Sequence, residues 1–306
     1  MIVEADDSHE FGSDEITEVK LNLVEAYIKA YSTALKSQPW ERWYIDAFAG
    51  TGSRTVRHAA RAGGIFEEDV PERIERRRGS ARIALEVEPK FDRLIFMEQR
   101  PKHCAALLTL KDQFPDRDIT VVQGNANEII QREIRWDGWG RTRAVLFLDP
   151  YGMSVEWETL KAVAETKAID VWYLFSLAGL YRQAARDIAK IDQFKRSAIT
   201  RMLGTDAWEK ELYQSDYVHA DLFGNEYLED CRRAADVKGL ESYVTQRLRD
   251  LFPHVMDPFP LPVSKKPQIF SLYFAISNDS PAAIGLARKI AGHILNAGKP
   301  SHKRSR

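Results

Sequence analysis

Asp149-Pro150-Tyr151-Gly152 is the stretch of this sequence best equipped for chemistry. An aspartate oxygen and the neighbouring backbone carbonyl can accept hydrogen bonds from an exocyclic amine and hold its nitrogen in one direction. Tyr151 can stack on the face of a base. The residues read as catalytic are therefore Asp149, Pro150 and Tyr151. The same four residues also suit a plain strand-to-helix turn, with proline ending the strand and glycine permitting the bend.

A second group has the makings of a nucleoside site. Tyr44-Ile45-Asp46-Ala47-Phe48 is a short apolar run that stops at Ala49-Gly50-Thr51-Gly52. The two glycines let the backbone turn sharply and approach a ligand without a side-chain clash. The third glycine of a G-x-G-x-x-G loop is missing, so nothing here asks for a pyrophosphate, and a nicotinamide enzyme is disfavoured. Asp46 suits a ligand with a cationic amino group, such as the methionine part of S-adenosylmethionine. Glu98, at the end of the next core strand, can accept both hydroxyls of a ribose. Gly124-Asn125-Ala126, after the third, can bring a polar group to an adenine edge. The cofactor-binding set is thus Asp46, Phe48, Ala49, Gly50, Thr51, Gly52, Glu98, Gln99, Gly124, Asn125 and Ala126. Plainer readings stand beside these: a tight turn, a solvated strand-end glutamate and a helix cap at Asn125. Arg54 and Arg57 open an arginine-rich stretch and are candidates for contacting substrate phosphates. A solvated charged face is the alternative.

The elements that must position these residues alternate. Apolar residues from Ile16 to Leu35 recur at helical spacing, and Pro39 closes that helix. Strands are expected at 43–48, 94–98, 119–123, 144–149 and 168–175, with helices between them: 101–114, beginning on a proline, 126–136 and 155–166. Such alternation implies a parallel sheet with right-handed crossovers. Its ligands sit at the carboxyl ends of the strands. Residues 53–79 are expected to be an irregular loop, followed by a short helix capped by Ser80. From 179 to about 252 helical spacing dominates. Two strands, 259–263 and 269–276, can pair antiparallel, and a helix at 281–295 follows.

Net charge is −1, from 44 basic and 45 acidic residues, which excludes a globally basic nucleic-acid coat. Two cysteines far apart give neither a metal-ligand spacing nor a disulfide framework, so no metal is expected and a reducing cytoplasm fits. No apolar run approaches the roughly 20 residues that span a bilayer, so no membrane association is expected.

Together the Asp-x-Phe-x-Gly-x-Gly loop, the acidic second strand end, Gly124-Asn125 and Asp149-Pro150-Tyr151 resemble class I S-adenosylmethionine-dependent methyltransferases. More narrowly, the chain resembles the three-Cys-motif partner (TcmP) family. That likeness rests on the helix 20–27, on 44–50, Gly79-Ser80-Ala81-Arg82-Ile83-Ala84-Leu85, Gly124-Asn125-Ala126-Asn127, 147–152 and Leu272-Tyr273-Phe274-Ala275. The resemblance implies an α/β fold: a Rossmann-like class I methyltransferase sheet, mostly parallel with an antiparallel last strand, and a helical insert. The implied layout is a helical segment at 1–38, a cofactor-binding core at 39–178, a helical insert at 179–255, closing strands and helix at 256–298 and a basic tail at 299–306. It also implies S-adenosylmethionine as cofactor, a bacterial or phage setting and a three-Cys-motif partner protein related to radical S-adenosylmethionine proteins. The expected activity is methylation of a nucleobase amine in DNA or RNA. The alternative is a silent cofactor-binding scaffold for that partner. Tyr151 stands where adenine-amino methyltransferases carry the second proline of Asp-Pro-Pro-Tyr, and Gly152 where they carry the aromatic residue.

Overall fold

The computed structural model describes residues 10–58, 73–134, 137–220, 226–263 and 267–298. By compactness the chain divides into two units, Met1–Ala126 and Asn127–Arg306. The architecture is α/β with mostly parallel core strands.

The first unit opens with helix α1 (Glu10–Leu35). Its buried stripe contains Ile16, Val24, Tyr27, Ile28, Tyr31 and Leu35. Fully burying one such aliphatic side chain contributes about 1.5–3 kcal/mol, so the stripe, more than helix propensity, holds α1 in place. Tyr31 stacks on Phe91 at 6.2 Å between ring centroids, and Tyr44 tilts against the same ring at 5.7 Å. Strand β1 (Glu41–Asp46) follows, then β2 (Ser53–His58), β3 (Arg73–Arg78) and α2 (Ser80–Glu86). Next come β4 (Arg93–Glu98), α3 (Pro101–Asp112) and β5 (Ile119–Gln123). β1 pairs parallel with β4, and β4 with β5. Asp46 lies opposite Phe96, and Glu98 opposite Gln123, so these three strands end at one edge.

Two expectations are corrected in this unit. The described flanks of 53–79 are not irregular: β2 and β3 form an antiparallel pair, with Ser53 opposite Arg78 and His58 opposite Arg73. The two strands carry only Val56 and Ile74 as aliphatic residues, so no apolar alternation marked them in the sequence. Residues 59–72 lie outside the described residues. Ser80 does not cap α2: Gly79 holds the cap position, no side-chain cap bond forms, and Ser80 is the first helical residue. Gly79 is needed there for a steric reason. A Cβ on it would stand 2.8 Å from the Gly52 carbonyl carbon and 2.9 Å from its oxygen. Both are backbone atoms that cannot swing aside. Gly79→Ala is expected to destabilise the protein by about 1–3 kcal/mol, the range for forced overpacking. Chemical denaturation measures this, and an unchanged midpoint would remove Gly79 from the account of the turn.

The second unit starts in α4 (Ala126–Glu133) and runs through β6 (Thr142–Leu148), α5 (Trp157–Glu165), β7 (Ile169–Phe175) and α6 (Leu177–Gln183). It continues with α7 (Gln193–Leu203), α8 (Trp208–Leu212), β8 (Tyr213–Ala220), β9 (Glu226–Arg233) and α9 (Val237–Leu251). β10 (His254–Val255), β11 (Phe259–Leu261), β12 (Phe270–Ile276) and α10 (Pro281–Ala297) complete it. β6 and β7 are parallel, and every core residue of the pair from Val145 to Leu148 is fully buried. Such two-sided burial is why these strands read as continuous apolar runs. β12 runs antiparallel to β7, with Ser271 opposite Phe175, and β11 and β10 pair with β12. The antiparallel closing strand is therefore present.

The segment expected to be purely helical is mixed. β8 and β9 pair antiparallel from Tyr213 opposite Arg233 to Ala220 opposite Glu226. The β9 sequence Glu226-Tyr227-Leu228-Glu229-Asp230-Cys231-Arg232-Arg233 is charge-rich, which hides a strand from composition. The basic tail from 299 and the start at 1–9 lie outside the described residues. Among those described, no helix is long and apolar enough to cross a membrane.

Candidate functional site

The first unit gathers every residue read as cofactor-binding. Asp46 ends β1, is fully buried, and its Oδ1 accepts the Phe48 N–H at 3.3 Å. That bond bends the chain into the Ala47–Gly52 turn. The Ala49 N–H donates to the Met97 carbonyl at 3.0 Å, tying the turn to β4. Gly50 and Gly52 have φ of +60° and +72°, the left-handed region where a side chain is strained. Their surroundings differ. A Cβ on Gly52 would lie 2.5 Å from Leu110 Cδ2, whereas one on Gly50 would meet nothing within 4 Å. Gly52 thus serves packing, and Gly50 keeps a surface open to close approach. Thr51 Oγ1 donates to the Ser53 carbonyl at 2.6 Å.

Glu98 is the hub. It is only 7% exposed, and its two oxygens take different backbone donors. Oε2 accepts the Gly50 N–H at 3.0 Å, and Oε1 accepts the Arg100 N–H at 2.8 Å. A carboxylate offers about four lone-pair sites, so these two bonds leave capacity for two hydroxyl donors. The Glu98 carbonyl accepts the Gly124 N–H at 3.0 Å and the Cys104 Sγ–H at 3.2 Å. Burial, together with the Glu98 charge, pushes the Cys104 thiol up from its ordinary value, which makes it a poor nucleophile. His103 Nδ1 lies 3.5 Å from Glu98 Oε2. Gln99 is exposed just past β4, and Gly124 follows β5 with Asn125 immediately before α4.

Asp149 and its neighbours belong to the second unit. Asp149 follows β6 and is half-buried, Pro150 is buried, and Tyr151 is 70% exposed. Gly152 has φ +63°, and a Cβ there would meet nothing within 4 Å. The turn therefore presents an aromatic ring to solvent from a rigid strand end. One residue quoted in a sequence motif but given no role of its own proves important. Asn127, 6% exposed, accepts at Oδ1 from the Glu156 N–H (3.0 Å) and the Thr159 hydroxyl (2.8 Å). Its Nδ2 donates to the Ser154 carbonyl at 2.8 Å. The signal was a poor helix former in the first turn of α4, a position such residues take when their side chain serves another segment.

The arginine readings resolve partly. Arg54 pairs with Asp14 of α1 at 3.5 Å. Arg77 pairs with Glu18, and Arg78 with Glu25 and Glu86. Much of the basic charge on this hairpin is thus offset by acids of α1 and α2. The Arg57 side chain lies outside the described residues. No group of His, Cys, Asp and Glu among the described residues is placed to hold a metal ion.

No family model and no curated protein matches the chain. Solved structures resemble it weakly. One is a Legionella pneumophila protein of the family model DUF519, 11% identical, covering 93% of this chain and 94% of that chain at a TM-score of 0.48. Another is a spermidine synthase in complex with the transition state analogue AdoDATO, 14% identical, with coverage of 93% and 71% and a TM-score of 0.42. A third is an S-adenosylmethionine-dependent methyltransferase from Clostridium acetobutylicum, 9% identical, with coverage of 85% and 92% and a TM-score of 0.37. These likenesses carry no conclusion on ligand or reaction.

Proposed function

We propose that this chain is an S-adenosylmethionine-dependent methyltransferase acting on a nucleobase amine in DNA or RNA. The observation that carries the reading is the edge formed by β1, β4 and β5. There Asp46, Glu98 and Gly124 end adjacent parallel strands, and Gly50 turns an unobstructed backbone surface outward. These residues fit the group. The acceptor capacity of Glu98 beyond its Gly50 and Arg100 bonds suits a ribose diol, and Asp46, buried beneath the turn, would act on an ammonium through its charge. S-adenosylmethionine would supply the methyl group. Asp149 and the adjoining carbonyl would orient the acceptor amine, and Tyr151 would stack on its base. A base inside a duplex would have to be flipped out to reach such groups. A three-Cys-motif protein is the partner we propose, on the sequence resemblance described above.

The test is a thermal-shift comparison of S-adenosylmethionine, its demethylated product and NAD. A ligand at 100 times its Kd stabilises by about 2.7 kcal/mol, which raises the midpoint by several degrees. The first two ligands are expected to do so and NAD is not. A shift with NAD alone, or with none of the three, would overturn the reading.

A second reading has one observation in its favour. Tyr151 occupies the place where adenine-amino methyltransferases carry their second proline. On that reading the chain binds S-adenosylmethionine without turnover and supports its three-Cys-motif partner. Labelled methyl transfer by the isolated chain would exclude it.

A further inference from the structure

The segment after β6 is anchored at Pro150 and Val155, both buried, while Tyr151, Gly152 and Ser154 are exposed. An exposed stretch between two anchors opens more readily than the buried strand before it. Beside Val155, its far end is held by the Asn127 carboxamide. One oxygen takes the Glu156 N–H and the Thr159 hydroxyl, and the nitrogen reaches the Ser154 carbonyl. Gln131 adds a bond to the same Thr159 hydroxyl at 3.1 Å. Only a carboxamide meets these demands: aspartate has no donor for Ser154, and leucine has neither donor nor acceptor.

We propose that Asn127 is a positioning residue for the Asp149–Gly152 turn, and that cofactor binding at the preceding Asn125 and Ala126 orders that turn through it. The second clause rests on the S-adenosylmethionine reading above. The physical link is short. Asn125, Ala126 and Asn127 are consecutive in the chain, so restricting the first two restricts the backbone that aims the third. Ordering a segment by one ligand lowers the entropy lost when a second binds, which couples the two without any large movement.

The experiment is hydrogen exchange of the full chain, read on peptides covering 149–159, with and without S-adenosylmethionine, for the wild type, Asn127→Ala and Asn127→Asp. Without ligand, exchange across 151–156 is expected to rise by at least about tenfold in Asn127→Ala, the lower limit that the loss of three hydrogen bonds of modest net strength implies. Exchange in β6 and β7 should stay unchanged. In the wild type, S-adenosylmethionine should slow exchange across 151–156. In Asn127→Ala that slowing should vanish although calorimetry still detects binding. A merely structural role would raise exchange throughout the unit and leave the ligand-dependent slowing in place. Should Asn127→Ala fail to fold, Asn127→Asp keeps both acceptor bonds, loses the Ser154 bond, and is expected to show a smaller local rise. Wild-type exchange at 151–156 in the folded variants overturns the positioning role. Binding without any slowing in the wild type overturns the coupling. No binding by the wild type refutes the cofactor reading and with it the coupling, while the ligand-free comparison still decides the positioning role.

Discussion

Asp149→Ala is expected to reduce methyl transfer from labelled S-adenosylmethionine to nucleic acid by on the order of 100- to 1,000-fold, the usual cost of removing one preorganised polar group at a reacting centre. Cofactor affinity should change little, because the residues assigned to the cofactor are Asp46, Glu98 and their neighbours. The size of the effect follows from where Asp149 stands. It extends a strand whose core residues are fully buried, and the buried Pro150 follows it. The carboxylate is therefore held on a rigid base, and an acceptor amine bonded to it loses orientational freedom before the reaction begins. Asp149→Asn should retain part of the activity, since its amide oxygen still accepts a hydrogen bond. Stability should move little in either variant, as the side chain is half-buried. Full transfer by Asp149→Ala, measured against an active wild type, would remove the turn from the chemistry.

Glu98→Ala carries a second large expectation, on binding and stability together. Its carboxylate satisfies the Gly50 and Arg100 amides from a site only 7% exposed. Removing it leaves both donors without that acceptor. A hydrogen bond to a charged group contributes about 1.5–3 kcal/mol, so losing two is expected to cost about 3–6 kcal/mol of stability. The Gly50 turn also loses one of its ties to β4, and cofactor affinity should fall by at least on the order of 100-fold, the factor expected when two charge-assisted hydroxyl contacts go. Glu98→Gln should be intermediate. Its oxygen can serve one amide, while its NH₂ group faces the other donor. Calorimetric titration under conditions where each variant is folded reads the affinity, and thermal melting reads the stability. Wild-type affinity in folded Glu98→Ala would count against a ribose at this strand end.

Much of this architecture could be read from residue order, and the reasons are physical. β6 and β7 are buried on both faces, so they appear as unbroken apolar runs with abrupt ends. α1 shows its stripe because one face alone is buried. The strand ends were legible because glycines, prolines and carboxylates punctuate those runs. Elements whose stability comes from pairing with each other were hidden. β2, β3 and β9 are charge-rich and β8 is largely polar, so no apolar alternation marks them in the sequence. Gly79 was noticed within a motif, but its contact with Gly52 depends on residues far apart in sequence. Asn127 likewise stands in a quoted motif, but its role depends on three partners 27 to 32 positions away.

The meeting of Gly52 and Gly79 has one more consequence. The Gly79 N–H donates to the Gly52 carbonyl at 3.0 Å, so the chain leaves the turn and re-enters it at the same point. The paired strands β2 and β3 leave and re-enter the fold at this closed junction, with ion pairs to α1 and α2 beside it. The segment's entry and exit are already spliced, and changing its length costs little, because loop-closure entropy grows only slowly with length. A version in which Gly52 is joined to α2 by a few residues should keep the turn, Glu98 and the three-strand edge in register. The fold thus carries its β2–β3 hairpin on a closed junction, so that segment can change without rebuilding the turn beneath it.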